Sequence, residues 1–250
     1  MQQITIPARY CGPASSGNGG WTAGSLAQAM RSTTGHLGPI TVRLSAPPPL
    51  DRTLDIELAA PPDGRDVAET ATLLADGAPI ATATAAAALG RDPVPFVEPD
   101  RAAATAMTYP TELHPFPHCF VCGPARRPGD GMRLTPGPLP DGGSACLWRP
   151  ADTIAGAVPE PLVWSALDCP GGWASDIVGR PMVLGTMTVE VLRSPPPDAT
   201  HVITGRLDDE RGRLSRTSSA VWTADGELLA RAEAVWVEVD PAQFNRILAR

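Results

Sequence analysis

The chain contains an internal repeat, and this feature restricts its possible folds more than any other. Residues 40–44 form a strand-like run that is soon followed by three prolines at 47–49, and residues 187–191 are followed by three prolines at 195–197. Matched positions lie about 147 to 149 residues apart in a chain of 250 residues. We therefore predict two similar units of ordinary domain size.

Each copy also contains an Asp-Gly pair between two β-rich runs. Asp76-Gly77 precedes the run 80–86, and Asp225-Gly226 precedes the run 228–239. An Asp-Gly pair in this position is the strongest short-range signal for a hairpin. The sequence therefore predicts a long antiparallel hairpin in each copy.

A helix-forming segment precedes these strands in both copies. Residues 19–33 are rich in small and helix-favouring side chains, with Asn18 as the N-cap and Gly35 as the C-terminal stop. In the second copy Pro161 can occupy the first helical position, and Pro170 is expected to kink or end the helix. The first segment is apolar or small on nearly all faces, which predicts a helix enclosed by an antiparallel sheet in an α+β fold.

Proline and glycine mark the connections. We predict a first unit at 1–90, a linker at 91–113 that contains four prolines, and a second unit at 114–250. The stretch 123–143 contains five prolines and six glycines, and it is expected to be irregular.

Charge and composition exclude several classes of function. The net charge is −7, with 20 basic residues, all of them arginine, against 27 acidic ones. No basic stripe could follow a phosphate backbone, which argues against nucleic-acid binding. We expect no leader peptide and no membrane span, because no apolar run approaches 18 residues. Five cysteines are a sparse and odd set, which indicates reduced thiols in a cytoplasm.

Two motifs resemble those of known families. The sequence CFVCG at 119–123, followed by GMRL at 131–134, is similar to the opening of phenylacetate-pathway-type hotdog thioesterases, whose helical Asp is matched by Asp168. The sequence GGW at 19–21, followed by AQA at 27–29, resembles the helix start of the medium-chain thioesterase II family. The resemblance covers roughly residues 8 to 239 and implies a tandem double-hotdog fold. It also implies hydrolysis of an acyl-CoA or related acyl thioester without a cofactor, and a homo-oligomer stays open.

The resemblance further implies a site built from both helices. Asn18-Gly19-Gly20 stands where the family has His-Gly-Gly, and the amides of Gly19, Gly20 and Trp21 are expected to stabilise negative charge on the thioester oxygen. Asp168 is expected to activate water or to attack the carbonyl directly.

The opposite combination of helices predicts no second site. It pairs Ala27, which has no carboxylate, with a helix start in which Pro159 and Pro161 lack N–H donors. The hypothesis is therefore one asymmetric site per chain. Trp21 and Trp164 are candidates for walls of the acyl pocket.

The strand positions match the family less well. Thr186 or Thr188 can take the place of the family's Thr, but Ala234, or the neighbouring Glu233, stands where a Gln is expected. A double hotdog that binds acyl ligands or a partner without turnover is therefore one alternative. A hotdog dehydratase or hydratase is another, although it would need a His where Asn18 stands.

Structural roles compete with these functional ones. Asp168 could hydrogen-bond a buried Ser or a loop amide, Gly19 and Gly20 could serve close helix packing, and Asn18 could be an ordinary N-cap. His114, His118, Cys119 and Cys122 could supply four zinc ligands, but His118 and Cys119 are adjacent, and we predict no metal.

Overall fold

A computed structural model of the chain describes residues 2–59 and 70–240. Over these residues the strands form a single 11-stranded sheet, and every pairing within it is antiparallel. The strands in chain order are β1 (Gln2–Thr5), β2 (Ile40–Leu44), β3 (Thr53–Ala59), β4 (Thr70–Ala75), β5 (Ala78–Ala85), β6 (Gly137–Pro138), β7 (Ser144–Trp148), β8 (Met182–Val191), β9 (His201–Arg211), β10 (Leu214–Thr223) and β11 (Leu228–Glu238).

The order of the strands is equivalent on the two sides of the sheet. Strands β2 and β8 pair at the centre, with Thr41 opposite Thr188. Outward from β2 the order is β5, β4, β3 and β1, and outward from β8 it is β11, β10, β9, β7 and β6. Apart from β6, each strand on one side thus has a counterpart at the same position on the other.

Both predicted Asp-Gly hairpins are confirmed. Asp76 and Gly77 join β4 to β5, and both have a positive φ, 50° for Asp76 and 77° for Gly77. Positive φ at both central residues is the requirement of a type I′ turn, which matches the twist of the flanking strands. Asp225 and Gly226 join β10 to β11 through a slightly longer loop, in which Gly226 alone takes the left-handed conformation at φ 83°.

The first long helix, α1 (Gly19–Thr34), begins and ends close to the predicted residues. The Asn18 side chain accepts a hydrogen bond from the Trp21 amide, which confirms Asn18 as the N-cap. Gly35 adopts the left-handed conformation at φ 70°, and its N–H donates to the Arg31 carbonyl. An αL glycine satisfies a terminal carbonyl at little steric cost, and this ends the helix.

The second long helix, α3 (Glu160–Gly172), differs from expectation at both ends. Pro161 occupies the second helical position, because Glu160 is the first and Pro159 is the N-cap. The helix continues two residues beyond Pro170, so it does not end at this proline. Only one backbone hydrogen bond is lost at a proline, and dense packing supports the following turn, since every residue of α3 except Glu160 is buried.

Two glycines allow α1 and α3 to pack against each other at very short range. A Cβ atom on Gly20 would lie 2.6 Å from the Asp168 Cβ, and one on Gly24 would lie 2.6 Å from the Pro161 Cα. Gly20 and Gly24 are one turn apart on the same face of α1, so this face meets α3 along its length. The contact brings the start of α1 next to Asp168, which is 2% exposed.

The predicted linker contains a short helix, α2 (Pro99–Ala104), and two 3₁₀ turns. Its residues Val97 and Ala102 are buried in a small cluster with Val202 of β9, so it packs on the sheet over part of its length. The stretch 123–143 is irregular apart from β6. In the described part of the chain, no helix is both long enough and apolar enough to cross a membrane.

Candidate active site

Asn18 links the two long helices at the start of α1. Its Oδ1 accepts from the Trp21 N–H at 2.8 Å, and its Nδ2 donates to Oδ2 of Asp168 at 3.0 Å. The backbone of Asn18 is held as well, because its N–H donates to the Tyr10 carbonyl at 2.8 Å. The residue is therefore both a helix cap and a positioning group for a carboxylate on the other helix.

The two oxygens of Asp168 have different surroundings. Oδ2 accepts from Asn18 Nδ2 and from the Gly20 N–H, each at 3.0 Å. Oδ1 is buried, and no hydrogen-bond partner is found for it among the described residues. A buried oxygen without a partner is costly unless a ligand or a proton completes its surroundings.

Burial raises the pKa of Asp168 to about 7. The Gly20 N–H and the Asn18 side chain lower this pKa because they donate to the ionised form, whereas the nearby Cys119 sulfur raises it. Desolvation is the largest of these effects. Burial therefore outweighs the two hydrogen bonds that favour the anion.

A cavity of about 280 Å³ lies beside these groups. It is bordered by Gly19 and Asp168, by the triple-proline segment after β2, and by the first residues of β8. This volume is near the lower limit of typical ligand pockets. Its apolar walls include Leu44, Phe116, Trp173, Ile177, Leu184 and Trp236.

Only one of the three predicted oxyanion amides is available. The Gly20 N–H already donates to Asp168, and the Trp21 N–H donates to Asn18. No hydrogen bond of the Gly19 N–H is seen among the described residues, and Gly19 borders the cavity. Gly19 also lies against β8, since a Cβ atom there would come within 2.7 Å of Leu184 Cβ. Gly19 therefore packs closely against β8, and its backbone N–H is still free to donate to a ligand.

The other residues named from the sequence lie outside the cavity wall. Trp21 stacks on Tyr10 with ring centroids 3.5 Å apart, and Trp164 is fully buried between the helices, where it contacts Gly24.

The two strand threonines also lie outside the cavity wall. Thr188 Oγ1 is 2.7 Å from Thr41 Oγ1 across the central strand pair. Thr186 lies on the same strand, two residues before Thr188. Their assignment to substrate binding remains a prediction.

The strand residues in place of the family's Gln offer no amide to the cavity. Ala234 pairs with Met187 in the sheet. Glu233 accepts from the Arg91 backbone N–H at 2.7 Å and faces the predicted linker. Any water in the cavity would therefore have to be oriented by other groups, foremost Asp168 and the start of α1.

The start of α3 is occupied by an ion pair instead of a carboxylate held by helix amides. The Glu160 carboxylate is 3.2 Å from Arg31 Nε, and it also accepts from Trp164 Nε1 at 3.2 Å. Ala27 is fully buried and carries no polar atom. Neither an unpartnered carboxylate nor a free pair of amides is present there.

Sequence reasoning missed a cluster of three sulfurs next to the site, formed by Cys119, Cys122 and Cys169 and called the cysteine cluster below. Cys119 Sγ is 3.7 Å from Cys169 Sγ, and all three sulfurs lie within 4.8 Å of one another. Hydrogen bonding among the three thiols holds the pKa of Cys119 well below its usual range, whereas burial and the same hydrogen bonding raise the pKa values of Cys122 and Cys169. The CFVCG motif signalled two members, but Cys169 is 50 residues away and only the fold brings it in.

Comparison with solved structures identifies the fold. The chain is similar to the tesB protein of Mycobacterium avium subs. paratuberculosis, with a TM-score of 0.62, 14% identity and coverage of 95% of this chain and 91% of that one. It is also similar to acyl-CoA thioesterase II TesB2 of Mycobacterium marinum, with a TM-score of 0.57, 14% identity and coverage of 96% of this chain and 93% of that one. A conserved protein with the hot dog fold from Alicyclobacillus acidocaldarius matches with a TM-score of 0.56, 18% identity and coverage of 96% of this chain and 93% of that one.

These likenesses extend over nearly the whole chain, so the protein has the hotdog fold that its motifs implied. No model of a known protein family matches the sequence, and no curated protein matches it. At identities of 14 to 18% the likeness concerns the fold alone.

Proposed function

We propose that this chain is a thioester hydrolase built from two hotdog units in tandem, with one active site at the start of α1. The tandem arrangement is supported by the sequence repeat and by the equivalent strand orders on both sides of the β2–β8 pair. In this proposal the first unit ends near residue 90, and 91–113 connects it to the second.

The unpartnered Oδ1 of Asp168 is the observation that carries the proposal. A general base needs a lone pair that faces the substrate and is not occupied by a structural hydrogen bond. Oδ2 is held by Asn18 and Gly20, which fixes the orientation of the carboxylate and leaves Oδ1 as the reactive atom. The cavity beside it provides room for an acyl group and a water molecule.

The proposed reaction uses Asp168 and the start of α1 together. Oδ1 accepts a proton from water while the water oxygen attacks the thioester carbon, or Oδ1 attacks that carbon itself and forms an anhydride. The carbonyl oxygen gains negative charge and accepts a hydrogen bond from the Gly19 N–H at the positive end of the α1 dipole. The C–S bond then breaks. In the first route the carboxylic acid is released and the thiolate takes the proton that Asp168 accepted from water. In the second route the thiolate leaves first, and a water molecule then hydrolyses the anhydride, which releases the carboxylic acid, restores Asp168 and supplies the proton of the thiol.

The substrate class in this proposal is an acyl-CoA or a related acyl thioester. The apolar wall suits an acyl chain, and the modest volume favours a short or medium chain over a long one. Two of the full-length structural neighbours are a tesB protein and an acyl-CoA thioesterase II, which agrees with this substrate class.

One observation favours a binding protein without turnover. The Gly20 and Trp21 amides already have partners, and β11 contributes no Gln to orient water. A dehydratase is less well supported. His114 is the histidine that borders the cavity, and both of its ring nitrogens have partners, the Phe116 N–H and the Cys122 sulfur.

A panel of acyl-CoA substrates from acetyl to palmitoyl, with detection of the released thiol, tests the proposal. The wild-type chain is expected to hydrolyse at least one substrate, and Asp168→Ala is expected to be at least a hundredfold slower, on the order expected for loss of a general base. Binding of an acyl-CoA without release of thiol would favour the binding protein. Equal rates for wild type and Asp168→Ala would contradict the assigned site.

A further inference from the structure

We propose that the cysteine cluster is a zinc site in which Cys119, Cys122 and Cys169 bind the ion through their three sulfurs. This inference does not depend on thioester hydrolysis. It revises the expectation that the chain holds no metal, which rested on the crowding of His118 and Cys119. In the structure His118 is exposed and takes no part in the cluster, whereas Cys169 of α3 completes it.

The spacing of the sulfurs fits a tetrahedral ion. A Zn–S bond of about 2.3 Å places two thiolate ligands about 3.8 Å apart. Cys119 Sγ and Cys169 Sγ are 3.7 Å apart, and the third sulfur lies within 4.8 Å of both. Only a small adjustment of the Cys122 side chain is needed to bring all three to one ion.

The Asn18 side chain also approaches the cluster. Its Nδ2 lies 3.8 Å from Cys119 Sγ, where an amide can donate to a thiolate. Three buried thiols would each lose a proton on binding, and a divalent cation would neutralise most of the resulting charge. Soft sulfur ligands select zinc over hard cations such as Mg²⁺ or Ca²⁺.

His114 contacts the cluster but is better suited to donate to a sulfur than to bind the ion. Its Nδ1 accepts the Phe116 N–H at 2.9 Å, so the proton of the neutral ring is on Nε2. Nε2 lies 3.3 Å from Cys122 Sγ, where an N–H···S hydrogen bond supports a thiolate ligand. The fourth position of the ion is thus left to a group from the cavity, which Cys119, Cys122 and Cys169 all border.

A disulfide explains the cluster less completely. A disulfide joins two sulfurs at about 2.05 Å, so any pairing within the cluster leaves the third sulfur over. A metal ion uses all three sulfurs, and it needs no oxidant.

The test is the metal content of the reduced, tag-free chain after expression with zinc in the medium. We expect about one zinc ion per chain by elemental analysis, and cobalt(II) added to the metal-free chain should show the strong near-ultraviolet absorption of thiolate ligands. Cys119→Ala, Cys122→Ala and Cys169→Ala should each lose the metal. His114→Ala should still bind zinc, but about ten- to a hundredfold more weakly, because it removes a hydrogen bond to the Cys122 ligand and not a ligand itself.

Cys146→Ala is the matched control, because Cys146 is equally buried but lies on β7 outside the cluster. This variant should keep its zinc. Reduced wild-type chain that binds neither zinc nor cobalt through thiolates would overturn the proposal, even if the alanine variants fail to fold. A disulfide within the cluster of the isolated chain, or full zinc content in Cys169→Ala, would overturn it as well.

Discussion

The starts of α1 and α3 occupy equivalent places in the two halves of the sheet, yet their chemistry differs. At the first, Asn18 and Gly20 hold Oδ2 of Asp168, Oδ1 has no hydrogen-bond partner among the described residues, and Asp168 borders a cavity. At the second, Pro159 and Pro161 remove N–H donors, and Glu160 is engaged by Arg31. Under the proposed function only the first helix start is an active site, because catalysis depends on a few side chains and free amides and not on the backbone arrangement alone.

The largest difference between the two helix starts should appear on changing the carboxylate. Asp168→Asn keeps the size of the side chain and an oxygen that can accept from Gly20, but it removes the base. We expect kcat to fall by about 10² to 10⁴ with little change in thermal stability. Steady-state kinetics beside a melting curve checks this, and an Asn variant with wild-type kcat would remove Asp168 from the chemistry.

A methyl group on either helix-contact glycine should separate packing from catalysis. Gly20→Ala and Gly24→Ala both place a Cβ about 2.6 Å from atoms of α3, and each should destabilise the chain by about 1 to 3 kcal/mol. Only Gly20→Ala pushes on Asp168, and a displacement near 1 Å can cost about a hundredfold in rate. Urea unfolding and kcat of the two variants should therefore agree in stability and differ in activity. Equal losses of activity would show that the helix contact acts as a whole.

Asn18 combines two roles that substitution can separate. Asn18→Ser keeps a capping oxygen for Trp21 but cannot donate to Asp168 as the amide does, so we expect about a tenfold loss in kcat/KM and a stability loss of a few tenths of a kcal/mol. Asn18→Ala should show the same kinetic loss and about 1 kcal/mol of further destabilisation. If Asn18→Ser is fully active, the Nδ2–Oδ2 hydrogen bond has no catalytic role.

The smallest effect is expected at the start of α3. Glu160→Gln weakens the partly buried pair with Arg31 and should cost about 0.5 to 1 kcal/mol of stability. Activity should stay within about twofold of wild type, because Glu160 is neither the general base nor an oxyanion donor in the proposed mechanism. Loss of either of those groups would lower the rate about a hundredfold or more. A large kinetic loss in Glu160→Gln would mean that the second helix start also takes part in the reaction.

The sequence predicted those parts of the fold that depend on local chemistry. Asp76-Gly77 fixes a hairpin because its backbone conformation is unfavourable for most other residues, and Asn18 and Gly35 bound α1 for the same kind of reason. The sequence left open whether α3 ends or only kinks at Pro170, and the structure excludes the first alternative; the burial that supports the following turn is a tertiary effect that local sequence does not predict. The match of Asp168 with the start of α1 followed from the family resemblance.

The remaining features of the site depend on contacts between distant residues. Cys169 joins Cys119 across 50 positions, and the Gly20 amide is taken by a carboxylate 148 positions away. Single-sequence spacing carries no signal for either contact. The apolar wall of the cavity also depends on distant residues. Its tryptophans are Trp173 and Trp236, which come from separate elements. The sequence indicates Trp21 and Trp164 instead, because they lie near the helix starts.

The position of a bound substrate analogue locates the proposed active site. A crystal structure with a CoA ketone analogue, in which a CH₂ group separates sulfur from the carbonyl, reports both the number and the place of the sites. We predict one analogue per chain, with its carbonyl oxygen on the Gly19 N–H and its carbonyl carbon facing Asp168 Oδ1. An analogue at the Pro159–Pro161 helix start, either alone or in addition to the first, would contradict the single asymmetric site.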